Sequence, residues 1–173
     1  MTVKIITDST SDISPELAKE LDIGIVPIYV IFDREVYRDG VDIAGDEFYK
    51  RLAASPVHPR TSQPNPEDFI RVFKDHLNSF DGIVSIHISS KISGTYSSAS
   101  IAKKTLASTI PIEIIDSTFN SAGLWLVVVA AARMAQSGAS MAAIVEEARR
   151  AVKQVNMFGM FETMKYLARS GRV

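Results

Sequence analysis

Ile83-Val84-Ser85-Ile86-His87-Ile88 is an apolar, β-branched run that leads directly into Ser89-Ser90-Lys91-Ile92-Ser93-Gly94-Thr95-Tyr96. The first stretch has the composition of a short buried strand. The second is rich in hydroxyl groups and leads into a helix predicted over residues 94–106. A strand that passes through a polar turn into a helix is typical of α/β proteins.

The same alternation of strand and helix extends over the rest of the chain. Apolar runs predict further strands at residues 3–7, 23–32, 112–115 and 155–161, with Pro27 at a bulge or an edge of the second. Residues 33–45 are predicted to be a loop or an irregular hairpin. Predicted helices begin at Ser14 and Asn65 and lie at 46–54, 120–136, 141–152 and through Leu167. This pattern predicts an α/β fold: a mostly parallel sheet with helices on both faces, in one domain over residues 1–173.

Polar residues follow three of the predicted strands. Asp8-Ser9-Thr10, residues 89–95 and Asp116-Ser117-Thr118 come directly after strands that end at Thr7, Ile88 and Ile115. The carboxyl ends of parallel strands lie at one edge of the sheet, where ligands bind. We therefore expect these turns to converge. Asp8 could orient a hydroxyl or hold a metal, although such sequences also form ordinary strand-to-helix turns.

Two hydroxyl-rich turns are the candidate ligand site. Ser93-Gly94-Thr95, at a predicted helix start, can present two hydroxyls and unpaired N–H groups to an anion, aided by the helix dipole. Gly94 has no Cβ, so a ligand can approach the backbone there. Thr61-Ser62-Gln63-Pro64 offers two more hydroxyls. Each turn also has a structural explanation, because serine and threonine cap helices and shape turns.

Composition excludes several classes of function. Lys and Arg number 19 against 20 Asp and Glu, and the net charge of −1 provides no basic surface for nucleic acid. The absence of cysteine excludes disulfides and thiolate metal sites and fits a reducing cytoplasm. The N-terminal sequence lacks the regions of a signal peptide, so a cytoplasmic location is expected. The apolar run at 122–132 is shorter than the about 20 residues that span a bilayer, and we expect no stable membrane insertion.

No established metal, cofactor or catalytic motif is recognisable. His58, His76 and His87 lack the spacing of metal ligands. The glycine motif of dinucleotide sites, the phosphate-binding loop and the nucleophile elbow are also missing. Ser93 precedes a glycine, but the sequence identifies no base to activate it. A phospho-ligand enzyme or a serine hydrolase that uses the Ser93-Gly94-Thr95 turn is the alternative to a binding protein.

Taken in order, the motifs of the chain resemble those of a known family. Thr7-Asp8-Ser9-Thr10-Ser11-Asp12, Thr61-Ser62-Gln63-Pro64, Ser93-Gly94-Thr95-Tyr96, Tyr166-Leu167 and Gly171-Arg172 are similar to the motifs of the DegV family. Members of this family are bacterial fatty-acid-binding proteins that serve as the B component of fatty acid kinase. The ordered set is more specific than any single motif.

The resemblance implies a lipid carrier that has no catalytic residues, metal or cofactor of its own. Such a protein holds a long-chain fatty acid non-covalently and presents the carboxylate to the catalytic subunit of a separate fatty acid kinase, which makes an acyl phosphate from ATP. Matched position by position, Thr61 and Ser93 would hydrogen-bond the carboxylate. Gly94 and Thr95 would add backbone or hydroxyl donors.

The resemblance also implies a longer protein. Family members continue into a second domain that helps to enclose the acyl chain and contributes a histidine near the head group. Residues 1–173 would then correspond to the N-terminal region. The lipid-enclosing C-terminal domain is expected to be absent from this chain.

Overall fold

The computed structural model describes residues 2–171 of the protein. A short 3₁₀ helix at Ser9–Ser11 follows the first strand. The other elements follow in this order: β1 (Val3–Asp8), α1 (Pro15–Glu20), β2 (Ile23–Val26), β3 (Tyr29–Phe32), β4 (Glu35–Arg38), α2 (Gly45–Ala54), β5 (Arg60–Ser62), α3 (Pro66–His76), β6 (Gly82–His87), α4 (Thr95–Thr105), β7 (Ile112–Asp116), α5 (Ser121–Gln136), α6 (Met141–Gln154) and α7 (Lys165–Ser170). Each predicted helix is present, with small differences at its ends.

Four strands form a parallel sheet in the order β2-β1-β6-β7. In the centre, Ile5 of β1 lies opposite Ile23 of β2 on one side and Val84 of β6 on the other. Every residue of β1 and β6 is buried, as expected for parallel strands that are covered on both faces. The predicted α/β fold is therefore confirmed.

Helices cover both faces of this sheet, because successive residues of a strand point to opposite sides. On one face, α1, α5 and α6 enclose a core that includes Ile5, Leu124 and Ile144. On the other, α3 and α4 enclose a second core that includes Ile6 and Phe69. The two neighbouring isoleucines of β1 thus belong to different cores.

The start of α3 follows directly from the sequence. Asn65 Oδ1 accepts the N–H of Asp68, and Asp68 Oδ2 accepts the N–H of Asn65, both at 3.0 Å. This reciprocal capping box satisfies two N–H groups that the helix itself cannot. Pro66 occupies the first turn, where its missing N–H costs nothing. The capping box fixes where α3 begins after β5.

The prediction of a single strand at residues 23–32 is wrong. The chain breaks at Pro27 and Ile28 into β2 and β3, which belong to different sheets. Proline cannot donate to a strand ladder, so it ends β2 rather than forming a bulge within a longer strand. The N–H of Ile28 donates instead to Ser9 Oγ at 3.1 Å. The break takes the chain away from the parallel sheet at its carboxyl edge.

The second sheet is antiparallel, with the order β4-β3-β5. β3 and β4 form a hairpin, so within residues 33–45, which were predicted to be a loop or an irregular hairpin, β4 is a strand that pairs with a strand outside that range. On the other side of β3, Thr61 of β5 lies opposite Val30. Val30, Phe32 and Ile43 form a small core with Phe48 of α2 packed against it. The first three residues of the predicted turn, Arg60–Ser62, therefore form a strand, and pairing with β3 fixes the position of Thr61.

The strand predicted at residues 155–161 is not found. α6 extends to Gln154, and the segment that follows pairs with no strand in the described part of the chain. Phe158 and Met160 are 94% and 95% exposed. An apolar run becomes a strand only where a neighbouring strand takes up its backbone hydrogen bonds, and composition alone does not supply that neighbour.

The apolar run at residues 122–132 lies within α5. Leu124, Val127 and Val128 are fully buried there against the parallel sheet, so the rest of the protein covers this face of the helix. Over residues 2–171, every helix lacks the length or the apolar character that crossing a membrane requires.

Candidate functional site

The candidate site lies at the carboxyl edge of the parallel sheet. The chain passes from β1 outward to β2, and from β6 outward to β7, so the connections of the two central strands diverge. Such a divergence leaves a crevice outside the carboxyl ends of the two strands, where open α/β sheets bind ligands. The residues that follow β1 and β6 meet at this position.

Asp8, the last residue of β1, ties the two strand ends together. Its Oδ1 accepts the N–H and the hydroxyl of Thr10, at 3.1 and 2.5 Å. Its Oδ2 accepts the N–H of Ile88 at 3.1 Å and lies 3.0 Å from Nδ1 of His87. The turn after β7 joins the same edge, since the Ser117 N–H donates to the carbonyl of His87 at 3.0 Å. The predicted convergence of the three turns is confirmed.

His87 extends this hydrogen-bonded chain into the sheet. With Asp8 as the acceptor, Nδ1 of His87 carries a proton, and Nε2 lies 2.6 Å from Ser85 Oγ. Asp8, Ser85 and His87 are all fully buried, and the ring of Phe69 lies edge-on to the imidazole at 5.0 Å. The three residues have the composition of a catalytic triad but are sealed beneath α3.

Asp8 has a shifted pKa. Burial raises the pKa of this carboxyl, but the hydrogen bond and the charge interaction with His87, together with the donors of Thr10 and Ile88, lower it by more. The pKa therefore lies below its ordinary value, and Asp8 stays ionised. An ionised Asp8 can only accept, so the hydroxyl proton of Thr10 is committed to it.

Ser93, Gly94 and Thr95 form the start of α4. Gly94 is the N-cap residue and has no side chain to cap the helix. Ser93 Oγ lies 2.9 Å from Thr95 Oγ1 and accepts the Thr95 N–H at 3.3 Å. Ser93 therefore satisfies one free N–H group at the start of the helix, as a capping residue does. The N-cap residue itself is Gly94, not Ser93 or Thr95. Thr95 is fully buried, whereas Ser93 is half-buried.

A small cavity of about 170 Å³ lies between the start of α4 and the end of β5. It is lined by residues of β5 and of the segments that follow strands of the parallel sheet: Thr10, Ile28, Thr61, Ser62, Gln63, Ile88, Ile92, Ser93 and Gly94. The structure therefore brings three predicted residues together, Thr61, Ser93 and Gly94. No residue of this lining is charged, so hydroxyls, one amide and backbone groups supply its polarity.

Gly94 faces the side chain of Gln63 across this cavity. A Cβ at position 94 would lie 2.5 Å from Nε2 of Gln63, so the amide would have to move. The φ angle of Gly94 is −79°, which any residue can adopt. The close approach of Gln63, rather than backbone conformation, is therefore what a larger residue at position 94 would disturb.

A larger cavity of about 570 Å³ adjoins the small one at β5. Val30 and Thr61 are paired across β3 and β5, which places their side chains on the same face, toward α2. The lining of the larger cavity is Val30, Phe48, Leu52, His58, Pro59, Arg60, Thr61 and Ser170. Among all the lining residues, Thr61 is common to both cavities.

The fourth predicted residue, Thr95, lines neither cavity and lies behind Ser93. Sequence reasoning also missed residues that do line them. Thr10 could have been predicted from the sequence, because it lies in a polar turn directly after a strand, as Ser93 does. Phe48 and Leu52 could not have been predicted, because their position in the cavity lining depends on how α2 packs over the second sheet. Arg172, one of the family motif positions, lies outside the described residues.

The contacts do not support the hydrolase alternative. In the part of the chain that the structure describes, Ser93 Oγ contacts the hydroxyl and N–H of Thr95 and no histidine. Ser85 does contact His87, but it is fully buried and out of reach of a substrate. Residues 2–171 also contain no group of three or more His, Cys, Asp or Glu side chains that could hold a metal ion.

A family model described as uncharacterised protein, DegV family, matches residues 2–173. The chain belongs to the DegV family. DegV domain-containing proteins of Caldanaerobacter subterraneus and Clostridium perfringens are 41% and 38% identical to it over 171 residues. Each match covers 99% of this chain, which spans 60% and 61% of the length of these two relatives.

Solved structures of DegV proteins share the fold. DegV of Bacillus subtilis, a fatty acid binding protein, matches with a TM-score of 0.91 and 29% identity over 99% of this chain and 61% of that one. The fatty-acid-binding DegV family protein of Thermus thermophilus matches with a TM-score of 0.85 and 32% identity over 99% and 60%. A stearic acid-binding protein of Eubacterium ventriosum matches with a TM-score of 0.79 and 35% identity over 85% and 52%.

Proposed function

We propose that this DegV protein binds a long-chain fatty acid non-covalently, with the carboxylate in the small cavity and the acyl chain in the larger one. The observation that carries the proposal is the position of Thr61, which lines both cavities. A ligand that passes Thr61 meets hydroxyls on one side and, on the other, apolar walls beside which His58, Arg60 and Ser170 also lie. Only an amphipathic molecule suits both.

The small cavity suits an anionic head group that accepts hydrogen bonds. Thr61 and Ser93 line it from opposite walls, and Gly94 is the N-cap residue of α4. The amino end of a helix carries about half a positive charge, which favours a carboxylate in a lining without charged side chains. Each hydrogen bond to the charged group contributes about 1.5–3 kcal/mol.

The larger cavity suits an acyl chain. Val30, Phe48, Leu52 and Pro59 give it apolar walls, and its volume of about 570 Å³ lies within the usual range for ligand pockets. Burial of about fourteen methylenes at ~0.8 kcal/mol each would contribute roughly 11 kcal/mol before the costs of binding. The tail would thus supply most of the affinity, and the hydroxyls would set the orientation.

The relatives support this assignment. The chain belongs to the DegV family, and two solved DegV structures of the same fold are described as fatty acid binding; a third structure of this fold is described as a stearic acid-binding protein. We further propose that the bound carboxylate is presented to a separate fatty acid kinase in the cytoplasm, and that this chain contributes no catalytic group. Ser93 supports this assignment, because within residues 2–171 its Oγ contacts the hydroxyl and N–H of Thr95 and no histidine or carboxylate.

Lipid extraction tests the proposal directly. Denaturing extraction of the purified protein, followed by mass spectrometry, is expected to release a stoichiometric fatty acid, and added palmitate is expected to bind to protein from which lipid has been removed. Absence of an acyl chain together with no binding of palmitate would overturn it. Phosphorylation of the bound acid by a fatty acid kinase and ATP tests the partner separately.

The substitution Ser93→Ala is expected to weaken palmitate binding about tenfold, because it removes one hydrogen bond to a charged group while the tail contacts remain. Titration by displacement of a fluorescent fatty acid measures the change. Ser97→Ala is the matched control, since Ser97 is exposed on the same helix and lines neither cavity. Equal affinities of the two variants would remove Ser93 from the site.

A further inference from the structure

The buried hydroxyl of Thr95 lies directly behind Ser93. Thr95 is fully buried, and over residues 2–171 its Oγ1 has one hydrogen-bond partner, Ser93 Oγ at 2.9 Å. A hydroxyl has one proton to donate, and leaving that proton without an acceptor in the interior costs free energy. The proton of Thr95 therefore points at Ser93.

This direction determines what Ser93 can do. Ser93 Oγ already accepts the N–H of Thr95 at 3.3 Å, so the hydroxyl of Thr95 is its second donor. A serine oxygen has two lone pairs, and both are now engaged. What remains is the proton of Ser93 itself, and Ser93 lines the small cavity.

The opposite arrangement is less favourable in two ways. If Ser93 donated to Thr95, the proton of Thr95 would have no acceptor inside the protein. The oxygen of Ser93 would then present a lone pair to the cavity, where it would repel a carboxylate. Thr10 shows this contrast within the same lining, because its proton is committed to Asp8 and its oxygen can only accept from a ligand.

We propose that Thr95 is a positioning residue that fixes Ser93 as a hydrogen-bond donor to the ligand, an inference that rests on the proposed binding of a carboxylate. Thr95 does not touch the ligand. It orients the proton of Ser93 before the ligand arrives, and its donated hydrogen bond strengthens Ser93 as a donor. This assigns a specific role to the one predicted site residue that lines neither cavity.

A double-mutant cycle in palmitate affinity tests the proposal. Thr95→Val keeps the shape of the side chain but removes the hydroxyl, and it is expected to weaken binding about three- to tenfold in the wild-type background. In the Ser93→Ala background the same substitution is expected to change affinity less than twofold, because its effect passes through Ser93. Thr95→Ser, which keeps the hydroxyl, is expected to restore wild-type affinity.

Urea unfolding of the same four proteins provides a readout that needs no ligand. Ser93→Ala leaves the Thr95 hydroxyl buried without an acceptor, so adding Thr95→Val to it is expected to raise the unfolding midpoint. Additive midpoint shifts, or an equal loss of affinity from Thr95→Val in both backgrounds, would overturn the role of Thr95. Failure of the wild type to bind palmitate would instead overturn the proposed function, and with it the donation by Ser93 to a carboxylate.

Discussion

The substitution Asp8→Asn is expected to lower the free energy of unfolding by about 2–5 kcal/mol. The Asp8 carboxylate accepts from Thr10 on one oxygen and from His87 and Ile88 on the other. An amide has a single acceptor oxygen, so its NH₂ group must face donors whichever way it is turned. In either orientation at least one backbone N–H group, that of Thr10 or that of Ile88, loses its acceptor at ~1–3 kcal/mol, and the remaining hydrogen bonds lose the charge of the carboxylate that strengthened them. Urea unfolding at neutral pH measures the loss.

Asp116→Asn is the matched control, because Asp116 also ends a parallel strand and accepts backbone N–H groups, but is only partly buried. Its effect is expected to stay within about 1.5 kcal/mol. Equal losses from the two substitutions would show that Asp8 contributes no more than an ordinary turn residue. They would contradict its role in joining β1 to β6.

The contribution of Asp8 is expected to disappear in acid. Its pKa in the folded protein lies below the value of ~3.9 in an unfolded chain, so the ionised carboxylate stabilises the fold above that pH. As the pH falls below ~3.9, the unfolded chain takes up the proton first, and the stabilisation is lost as the pH passes through the folded pKa. The difference in unfolding free energy between wild type and Asp8→Asn should therefore shrink on acidification. A constant difference between neutral pH and about pH 3 would contradict this titration.

The substitution Leu52→Asp is expected to weaken palmitate binding about 30- to 100-fold. Leu52 lines the larger cavity from α2, and a carboxylate there would bring water to the acyl chain. Exposure of about three methylenes at ~0.8 kcal/mol each corresponds to this loss. Because α2 has no fully buried residue, the fold is expected to tolerate the change. Displacement of a fluorescent fatty acid measures the affinity.

Ala53→Asp is the control for Leu52→Asp. Ala53 is the next residue of α2, is exposed, and lines neither cavity. The substitution Ala53→Asp adds the same charge to the same helix as Leu52→Asp, so any general electrostatic effect on a fatty acid appears in both variants. Unchanged affinity of Leu52→Asp would place the acyl chain elsewhere in the protein.

The parallel sheet was predictable because its signals are local. Residues 3–8 and 82–88 are apolar runs between polar turns, and a strand that is buried on both faces needs little more than that pattern. The start of α3 was readable for the same reason, since all the groups of its capping box lie within four residues. Convergence of the polar turns then followed from strand direction alone.

The second sheet was not predictable, because its order depends on contacts between distant residues. Residues 23–32 read as one apolar run, and the sequence did not reveal that Pro27 divides it between two sheets. The motif made Thr61 a candidate site residue, but its pairing with Val30 was not foreseen. The larger cavity arises from that pairing, and so it escaped prediction as well.

The division of the chain at Pro27 also bears on how a ligand would enter and leave. One wall of the small cavity belongs to the parallel sheet with its two cores, and the other to a sheet whose buried core is Val30, Phe32 and Ile43. Local opening costs least where few apolar contacts must be broken. We therefore expect the antiparallel wall to open while the parallel sheet stays folded. The rate of ligand exchange would then be set by the smaller core, independently of the stability of the whole domain.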